Sequence, residues 1–354
     1  MPGFAIYRLP YESQVTLVLQ TEGEPVELSS CTELNGRQGF VMAPFEVRPD
    51  QPILLIRPDK VETVPVQEIH ALPLPDFQME PKGIVGGQRT HYAIDFANDH
   101  SQLQQHTFRK IVLARCSDEE VQETISPLEL FHRACVHYPR MFISLVSTAR
   151  SGCWLTATPE ILLEGQGGNQ WRTIALAGTM LLEGDQLQGE GEGLSWSTKN
   201  IQEQRYVATY IAECLEKFTR DFREEGPFTV RAANLVHLRS DFTFSLPDTN
   251  HLGDLLQELH PTPAVCGLPK RDAFQFIIRN EHTPRRYYSG FMGLLDAERQ
   301  THLYVSLRCM NIDSHRYHLY AGGGLLKDST EEQEWQETEA KLETMRRCIA
   351  TRKT

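Results

Sequence analysis

The sequence lacks three features that would assign it to common classes: cysteines at Cys-x-x-Cys spacing, a cluster of basic residues, and an apolar run near the ~18 residues that span a membrane. Its eight cysteines match neither a zinc site nor a redox pair, and we expect reduced thiols in a cytoplasmic protein. Residues 1–4 show no charged-then-apolar signal segment. A net charge of −12 argues against nucleic-acid binding and requires that an anionic substrate be held by local cations.

The 354 residues begin with short strand-like runs and continue with a longer mixture of strands and helices. Residues 15–19 and 52–56 are apolar runs between turn residues, and a proline-rich extended connector follows at residues 64–75. We find no candidate chemistry in residues 1–85. Beyond them, strands and helices do not follow a strict βαβ alternation, which favours an α+β fold over a doubly wound sheet.

The C-terminal stretch carries the most informative pattern: a strand, three glycines at 322–324 and a long helix. Ser329 and Glu332 have the spacing of a capping box that opens the helix. The glycines would let backbone N–H groups approach an anion at the helix N-terminus. A stripe that faces the core is predicted at Trp335, Thr338, Leu342, Met345 and Ile349.

Glu334, Glu337 and Lys341 share a second face of this helix. Two carboxylates one turn apart can hold a hard divalent cation, and Mg²⁺ typically takes one or two carboxylates together with substrate oxygens. The alternative is an acidic first turn that, with Arg346 and Arg347 in the last turn, only complements the helix macrodipole. The pattern alone leaves both interpretations open.

Lys110 lies in an apolar strand predicted at residues 108–115 and shares one face with Val112 and Ala114. A lysine among apolar neighbours loses hydration, which favours the neutral amine and lets it act as a base. The alternative is an ordinary edge-strand lysine that points to water.

Glu160 follows Pro159 in the apolar run at residues 153–163, where the proline interrupts the strand. Such surroundings raise the pKa of a carboxyl group, which suits Glu160 to act as an acid; the alternative is a glutamate that faces outwards. Arg308 is predicted on a strand, on the polar face with Ser306 and Tyr304. There it would either clamp a carboxylate or lie on the surface without a ligand.

One helix and two loops complete the candidate regions. The helix is predicted from Ser197 to about Arg223, with Glu203 off its apolar stripe and in water by default; the stripe is Ile201, Ala208, Leu215 and Phe222, with Ile211 and Phe218 between. Residues 183–193 form a flexible polar loop of the kind that can close over a site. Residues 260–269 are too proline-rich for a helix or strand and must form a shaped loop.

In their order along the chain, these signals resemble the motifs of the chorismate-utilising enzymes, most of all the isochorismate synthases. The resemblance covers about residues 90–350. Its motifs are Lys-Ile-Val-Leu-Ala-Arg at 110–115, Thr-Pro-Glu-Ile-Leu-Leu at 158–163, Leu-Ala-Gly-Thr at 176–179, Ser-Thr-Lys-Asn-Ile-Gln-Glu at 197–203, His-Pro-Thr-Pro-Ala-Val-Cys-Gly at 260–267, Ser-Leu-Arg at 306–308, Tyr-Ala-Gly-Gly-Gly at 320–324, and Glu-Trp-Gln-Glu-Thr at 334–338 with Lys341. Each motif alone is weak evidence, whereas the ordered set is highly specific.

The resemblance implies two large, mainly antiparallel sheets packed together with flanking helices, as in anthranilate synthase component I, and a cleft for chorismate and Mg²⁺. It implies a variable N-terminal part, residues 1–85, packed on the same single large domain as the catalytic residues 86–354. Lys110 would deprotonate the water that attacks C2 of the ring, and Glu160 would protonate the departing C4 hydroxyl. The residues expected to hold Mg²⁺ are Glu203, Glu334 and Glu337, and those expected to bind chorismate are Ala177, Gly178, Thr179, His260, Arg308, Gly322, Gly323 and Lys341.

The branch of the family is predicted from Lys110 and Ala177. Relatives that form amino products usually lack a lysine at the first position, and aminodeoxychorismate synthases often have one at the second. We therefore expect a Mg²⁺-dependent isomerase that interconverts chorismate and isochorismate without an obligatory glutamine amidotransferase subunit. The alternatives are a salicylate synthase, which shares the lysine and the glutamates, and a chorismate-binding homologue without turnover. Met180 and Gly323 depart from the arginine and alanine common at those positions.

Overall fold

Two nine-stranded antiparallel sheets form the centre of the protein in the computed structural model, which describes residues 2–77, 79, 89–120, 125–182, 194–232 and 235–350. The strands of this part of the chain are β1 (Phe4–Arg8), β2 (Gln14–Leu19), β3 (Val26–Leu28), β4 (Gly39–Ala43), β5 (Ile53–Ile56), β6 (Lys60–Pro65), β7 (Lys110–Glu120), β8 (Phe142–Thr148), β9 (Gly152–Thr158), β10 (Ile161–Gly165), β11 (Gln170–Leu181), β12 (Phe222–Ala232), β13 (Leu235–Ser245), β14 (Gly267–Leu268), β15 (Phe291–Leu295), β16 (Thr301–Val305), β17 (Cys309–Ile312) and β18 (Arg316–Leu325). The α-helices are α1 (Arg89–Gln104), α2 (Pro127–His137), α3 (Thr198–Leu215), α4 (Leu252–Leu259), α5 (Lys270–Asn280) and α6 (Glu331–Ile349). The α+β class predicted from the sequence is confirmed.

The strand order interleaves distant parts of the chain. It is β14-β7-β18-β17-β9-β8-β1-β2-β6 in the first sheet and β12-β13-β11-β10-β16-β15-β4-β5-β3 in the second. Strand β1 pairs with β8 and β4 pairs with β15, so strands before residue 77 extend both sheets. The N-terminal part therefore shares its sheets with the rest of the chain.

The inner faces of the two sheets share one cluster of buried side chains. The ring centroids of Tyr7 in the first sheet and Phe40 in the second lie 5.9 Å apart. Phe142 of the first sheet stacks on Tyr304 of the second, with 4.3 Å between the ring centroids. Helices α3 and α4 pack on the outer face of the second sheet, and α2 and α6 on that of the first. In the described residues, no helix has the length and apolar character needed to cross a bilayer.

Helix α3 is shorter than the sequence predicts. It ends at Leu215, and Phe222 begins β12, where it pairs with Phe244 of β13. Ile201, predicted on the apolar stripe, is 51% exposed. The heptad-like spacing was misleading because residues 222–232 gain a strand partner in β13, and a local periodicity does not report that pairing. Residues 183–193, predicted as a closing loop, lie outside the described residues.

Helix α6 begins differently from the prediction. Its N-cap is Thr330 without a side-chain cap bond, and Ser329 Oγ accepts the N–H of Leu326 at 3.0 Å, so the predicted capping box is wrong. The glycines at 322–324 lie inside β18, paired with β7, rather than ahead of the helix N-terminus. Of the predicted inward stripe, Thr338, Leu342 and Met345 are buried, while Trp335 and Ile349 are partly buried against the core.

Candidate functional site

Lys110 and Glu203 form a buried ion pair. Lys110, the first residue of β7, has no exposed surface, and its Nζ lies 3.0 Å from Oε1 of Glu203 in the second turn of α3. Burial raises the pKa of Glu203, whereas the nearby lysines, with Lys110 foremost, lower it. The lysines together outweigh burial, so the pKa of Glu203 lies below its usual value. Lys110 is therefore not an edge-strand lysine that points to water, and Glu203 is not solvated, as their alternative interpretations had it.

The close approach of this pair to β18 requires glycine at 324. A Cβ on Gly324 would overlap with Glu203 Oε1 and would lie 2.9 Å from Lys110 Cε. On the neighbouring Gly323, a Cβ would lie 3.2 Å from Glu334 Oε2, a contact that rotation of the carboxylate can relieve. The two adjacent glycines therefore differ in how well they tolerate a side chain.

We expect Gly324→Ala to lower the free energy of unfolding by about 2–4 kcal/mol, because the added methyl group separates a buried ion pair in a packed interior. Gly323→Ala, the matched control on the same strand, should cost less than about 1 kcal/mol. Urea denaturation of both variants measures the difference. Equal losses for the two would contradict the close packing described at Gly324.

Glu160 lies between β9 and β10, where Pro159 interrupts the strand, and it is 2% exposed. Burial raises the pKa of Glu160 to about 8, against the opposing charges of Lys110, Arg308 and Lys341. The carboxyl group is therefore protonated at neutral pH and can donate a proton. The direction of this shift agrees with the one expected from the apolar sequence around it.

Arg308 lies between β16 and β17 rather than on a strand as predicted, and its φ is 37°. The left-handed conformation breaks the strand alternation on which the prediction relied. Arg308 Nη2 donates to His237 Nε2 at 2.7 Å, while Nη1 is buried without a hydrogen-bond partner. An unpartnered buried donor on a cation suits a carboxylate ligand.

His237 on β13 supports Arg308 as a neutral base. A guanidinium only donates, so His237 Nε2 accepts, and its Nδ1 donates to Gly178 O at 3.3 Å. Burial, together with the charges of Arg308 and Lys341, lowers the pKa of His237 well below its ordinary value. The imidazole therefore holds the arginine without adding a second charge.

These groups face one cleft with an empty volume of about 580 Å³, part of it open to solvent. Lys110 is joined to it through Glu203, which lines the wall. The sequence-predicted residues that line the cleft are Glu160, Ala177, Gly178, Thr179, Glu203, Arg308, Gly322 and Lys341. The structure thus brings together residues from six separate motifs.

The predicted face of α6 is turned towards β18. Lys341 Nζ donates to Glu337 Oε1 at 2.7 Å and to Gly322 O at 2.8 Å. One turn earlier, Glu334 is 1% exposed and forms an ion pair with Lys199. Burial and the charge of Glu337 raise the pKa of Glu334, although Lys199 opposes them. Two neighbouring carboxylates that repel each other, one of them buried, favour a nearby cation.

The oxygen atoms beside α6 fit a hard cation such as Mg²⁺. Glu334 Oε2 is buried and has no hydrogen-bond partner, and a carboxylate oxygen in such a place needs a donor or a cation. A Cβ added to Gly323 would lie 3.2 Å from Glu334 Oε2 and 3.7 Å from Glu337 Oε1, so both oxygens face the same point on β18. Among the residues described, Glu203, Glu334 and Glu337 do not place three donor atoms within 4.8 Å of one another. The fit is therefore for one or two of these carboxylates, which Mg²⁺ accepts.

His260 is placed away from the cleft. Its Nε2 lies 3.3 Å from Pro44 O, its ring packs edge-on against Phe291, and burial lowers its pKa to about 3. The loop that His260 begins meets the cleft through Ala264 and Val265 instead. His260 itself is not among the residues that line the cleft.

The sequence interpretation omitted His237 and Tyr288, both of which line the cleft. His237 had a local signal, a single histidine within the apolar run at residues 235–238. Such a residue is more often a satisfied core histidine, and its function depends on Arg308, which is 71 residues away in the sequence. Tyr288 carried no such signal among its aromatic neighbours.

Residues 75–350 match the family model described as "Chorismate binding enzyme". Over 271 residues the chain is 32% identical to the salicylate biosynthesis isochorismate synthase of Pseudomonas aeruginosa, covering 74% of this chain and 55% of the relative. Over 250 residues it is 33% identical to the isochorismate synthase MenF of Escherichia coli (strain K12), covering 68% of this chain and 56% of the relative. The aligned part spans just over half the length of these curated relatives.

A solved structure shares the same architecture. The menaquinone-specific isochorismate synthase MenF from Escherichia coli superposes with a TM-score of 0.79 at 24% identity, covering 99% of this chain and 89% of that one. At this identity the likeness shows the fold, and with it the arrangement of two large sheets with outer helices.

Proposed function

The chain belongs to the chorismate-binding enzymes, and from this premise we propose that it is an isochorismate synthase, an isomerase that interconverts chorismate and isochorismate. The observation that carries the proposal is a protonated acid in the cleft wall and a buried amine joined to the same wall through Glu203. The acid is Glu160, whose pKa is raised to about 8, and the amine is Lys110 in its ion pair with Glu203. Exchange of a ring hydroxyl for water needs one group that takes a proton and one that gives it.

In the proposed reaction, Lys110 takes a proton from water as the water oxygen bonds to C2 of the ring. The two ring double bonds each shift by one position and the bond from C4 to its hydroxyl oxygen breaks. Glu160 gives its proton to that hydroxyl, which leaves as water. Lys110 accepts a proton only as the neutral amine, so the ammonium of its ion pair with Glu203 must first release a proton to solvent. After the reaction Lys110 gives up its new proton and Glu160 regains one, both by exchange with solvent. One water enters and one leaves, so nothing is oxidised or reduced.

The carboxylates of chorismate would be bound by cations gathered locally in an acidic protein. Arg308 offers its unpartnered Nη1, and Lys341 lines the same cleft beside Gly322. A charge-assisted bond to a guanidinium is stronger than one to a neutral donor, and the guanidinium geometry matches a carboxylate. Because neutral His237 holds Arg308 in place, little ordering remains for substrate binding.

Glu203 and Glu337, with Glu334 nearby, would hold the Mg²⁺ ion. When bound, Mg²⁺ would neutralise the ring carboxylate and favour attack on the conjugated ring. Buried Glu334 Oε2 is the atom with the clearest need for such a ligand. Lys199 and Lys341 pair with Glu334 and Glu337, so cation binding here competes with two lysines for carboxylate oxygens.

The alternatives in the same family differ in nucleophile and product. Ala177 lines the cleft and supplies no amine that could attack the ring. A salicylate synthase would form isochorismate first and then eliminate pyruvate. A binding homologue would consume no chorismate at all, which a simple consumption assay distinguishes.

We expect chorismate incubated with Mg²⁺ in ¹⁸O-labelled water, without ammonia, to give isochorismate with one labelled oxygen at C2. The reaction should approach an equilibrium mixture with no more than trace pyruvate, because attack and departure are similar steps on one ring. Mass spectrometry of the product and a coupled pyruvate assay measure both. Stoichiometric pyruvate with an aromatic product would assign the chain to the salicylate synthases. A product formed only with ammonia would refute the role of Lys110.

A further inference from the structure

One edge of β7 continues beyond the end of its partner strand. On that edge, β14 pairs only with Lys110 and Ile111. Beyond them, Val112 N–H donates to Cys266 O at 2.7 Å. The following groups, Val112 C=O and Ala114 N–H, belong to residues that are 2% and 3% exposed, and buried backbone groups left unpaired are costly.

Two side chains occupy the place of the missing strand. Ala114 N–H donates to Glu281 Oε1 at 2.7 Å, and Val112 O accepts from Arg285 Nη2 at 2.6 Å. The two side chains also bond to each other, from Arg285 Nε to Glu281 Oε2 at 2.6 Å and from Nη2 to Oε1 at 2.9 Å. The side chain of Arg285 is 3% exposed and that of Glu281 is 6% exposed, so water offers no alternative partner.

The same guanidinium reaches another wall of the cleft. Arg285 Nη1 donates to Val265 O at 2.7 Å, and both Val265 and Val112 line the cleft. The Cζ atom of Arg285 lies 4.3 Å from the centre of the Phe45 ring, and this contact restrains the plane of the guanidinium. A single planar cation therefore sets the separation between β7 and the loop before β14.

A buried ion pair of this kind contributes little net stability compared with apolar side chains of the same size, because desolvation offsets the attraction. Its geometric effect is more specific. Lys110 lies two residues before Val112 on the same strand and must meet Glu203 at 3.0 Å in a packed interior. Small displacements of catalytic groups lower rates strongly.

We propose that Glu281 and Arg285 are positioning residues that fix the free edge of β7 and thereby hold Lys110 at the cleft. The inference rests on the proposed function of Lys110 as the base in isochorismate formation. Neither residue touches the reacting atoms; both act through the strand that carries the lysine.

Arg285→Lys tests the proposal, because lysine keeps the charge but cannot reach Val112 O, Val265 O and Glu281 together. We expect kcat for isochorismate formation to fall at least about tenfold while KM changes less than about threefold. Arg8→Lys is the matched control: Arg8 is 2% exposed and also donates to backbone carbonyls, of Tyr138 and Met141, but lies outside the cleft wall. It should lose thermal stability with kcat within about twofold of the parent.

Hydrogen exchange gives a readout that does not depend on the activity. Glu281→Ala should raise the exchange rate of the Ala114 amide at least about tenfold relative to the strand amides of β8, whereas Glu281→Gln, which retains an acceptor, should raise it less. Unchanged exchange, or equal losses of kcat in Arg285→Lys and Arg8→Lys, would overturn the proposal. If the parent forms no isochorismate but Ala114 exchange rises as expected, the proposed function fails and the structural role of the pair stands.

Discussion

Lys110→Ala is expected to lower kcat for isochorismate formation by about 10²–10⁴-fold, the usual contribution of positioned proton transfer. The variant loses the amine that pairs with Glu203 Oε1 at 3.0 Å, so water would attack without this base. Chorismate consumption followed by chromatography gives the rate, and circular dichroism checks the fold. Arg109→Ala, which removes an exposed cation from the preceding residue, is the control and should stay within about twofold. A Lys110→Ala rate near that of the parent would remove the base assignment.

Glu160→Gln should reduce kcat by a similar factor, because glutamine keeps the shape of the protonated acid but cannot transfer its proton. The pKa of Glu160 is raised to about 8, so the acid form predominates below that pH and is lost above it. The parent kcat/KM should therefore fall as pH rises through about 8, and this fall should be absent in the variant. The measured value belongs to the coupled acid–base pair rather than to one residue. An unchanged pH profile in Glu160→Gln would contradict the assignment.

Glu203→Ala and Glu337→Ala are each expected to abolish Mg²⁺-dependent turnover. Each variant removes a carboxylate beside β18, and an ion that takes few protein oxygens tolerates little loss. In the parent, Mg²⁺ should bind at least about tenfold more tightly with chorismate present, since substrate oxygens complete its shell. Isothermal titration of Mg²⁺ with and without chorismate measures this dependence.

Glu332→Ala is the matched control for these carboxylates. Glu332 lies in the first turn of the same helix, is exposed, and pairs with Arg89 at 3.0 Å. Its removal should leave Mg²⁺ dependence unchanged. Equal Mg²⁺ affinity with and without chorismate would count against an ion shared by protein and substrate. Full activity in chelator-treated parent protein would exclude a required metal.

Short-range relations among residues could be predicted from the sequence. Glu337 and Lys341 are four residues apart, and the helical period places them on one face, where they form a bond of 2.7 Å. The raised pKa of Glu160 likewise follows from its apolar neighbours and the interrupting proline. Such predictions hold because covalent geometry fixes the relative directions of nearby side chains.

Relations between distant residues were left open by the sequence or missed. Lys110 and Glu203 each had a solvent-exposed alternative, and only the packing of α3 against the sheets joins them. The helix predicted to continue to Arg223 ended at Leu215 because β13 offers a strand partner. Arg308 was expected on a strand, but the left-handed turn that orients it depends on neighbouring strands.

The sequence by itself determined the α+β class, the family and the order of the family's motifs, since these depend on residue type and local spacing. Only the tertiary structure decided that His237 supports Arg308, that His260 lies away from the cleft, and that Gly324 makes room for Lys110 and Glu203. The physical reason is that burial and close contact arise where strands and helices distant in the sequence meet. A side chain's charge state and partners are set there, by neighbours that its own segment does not specify.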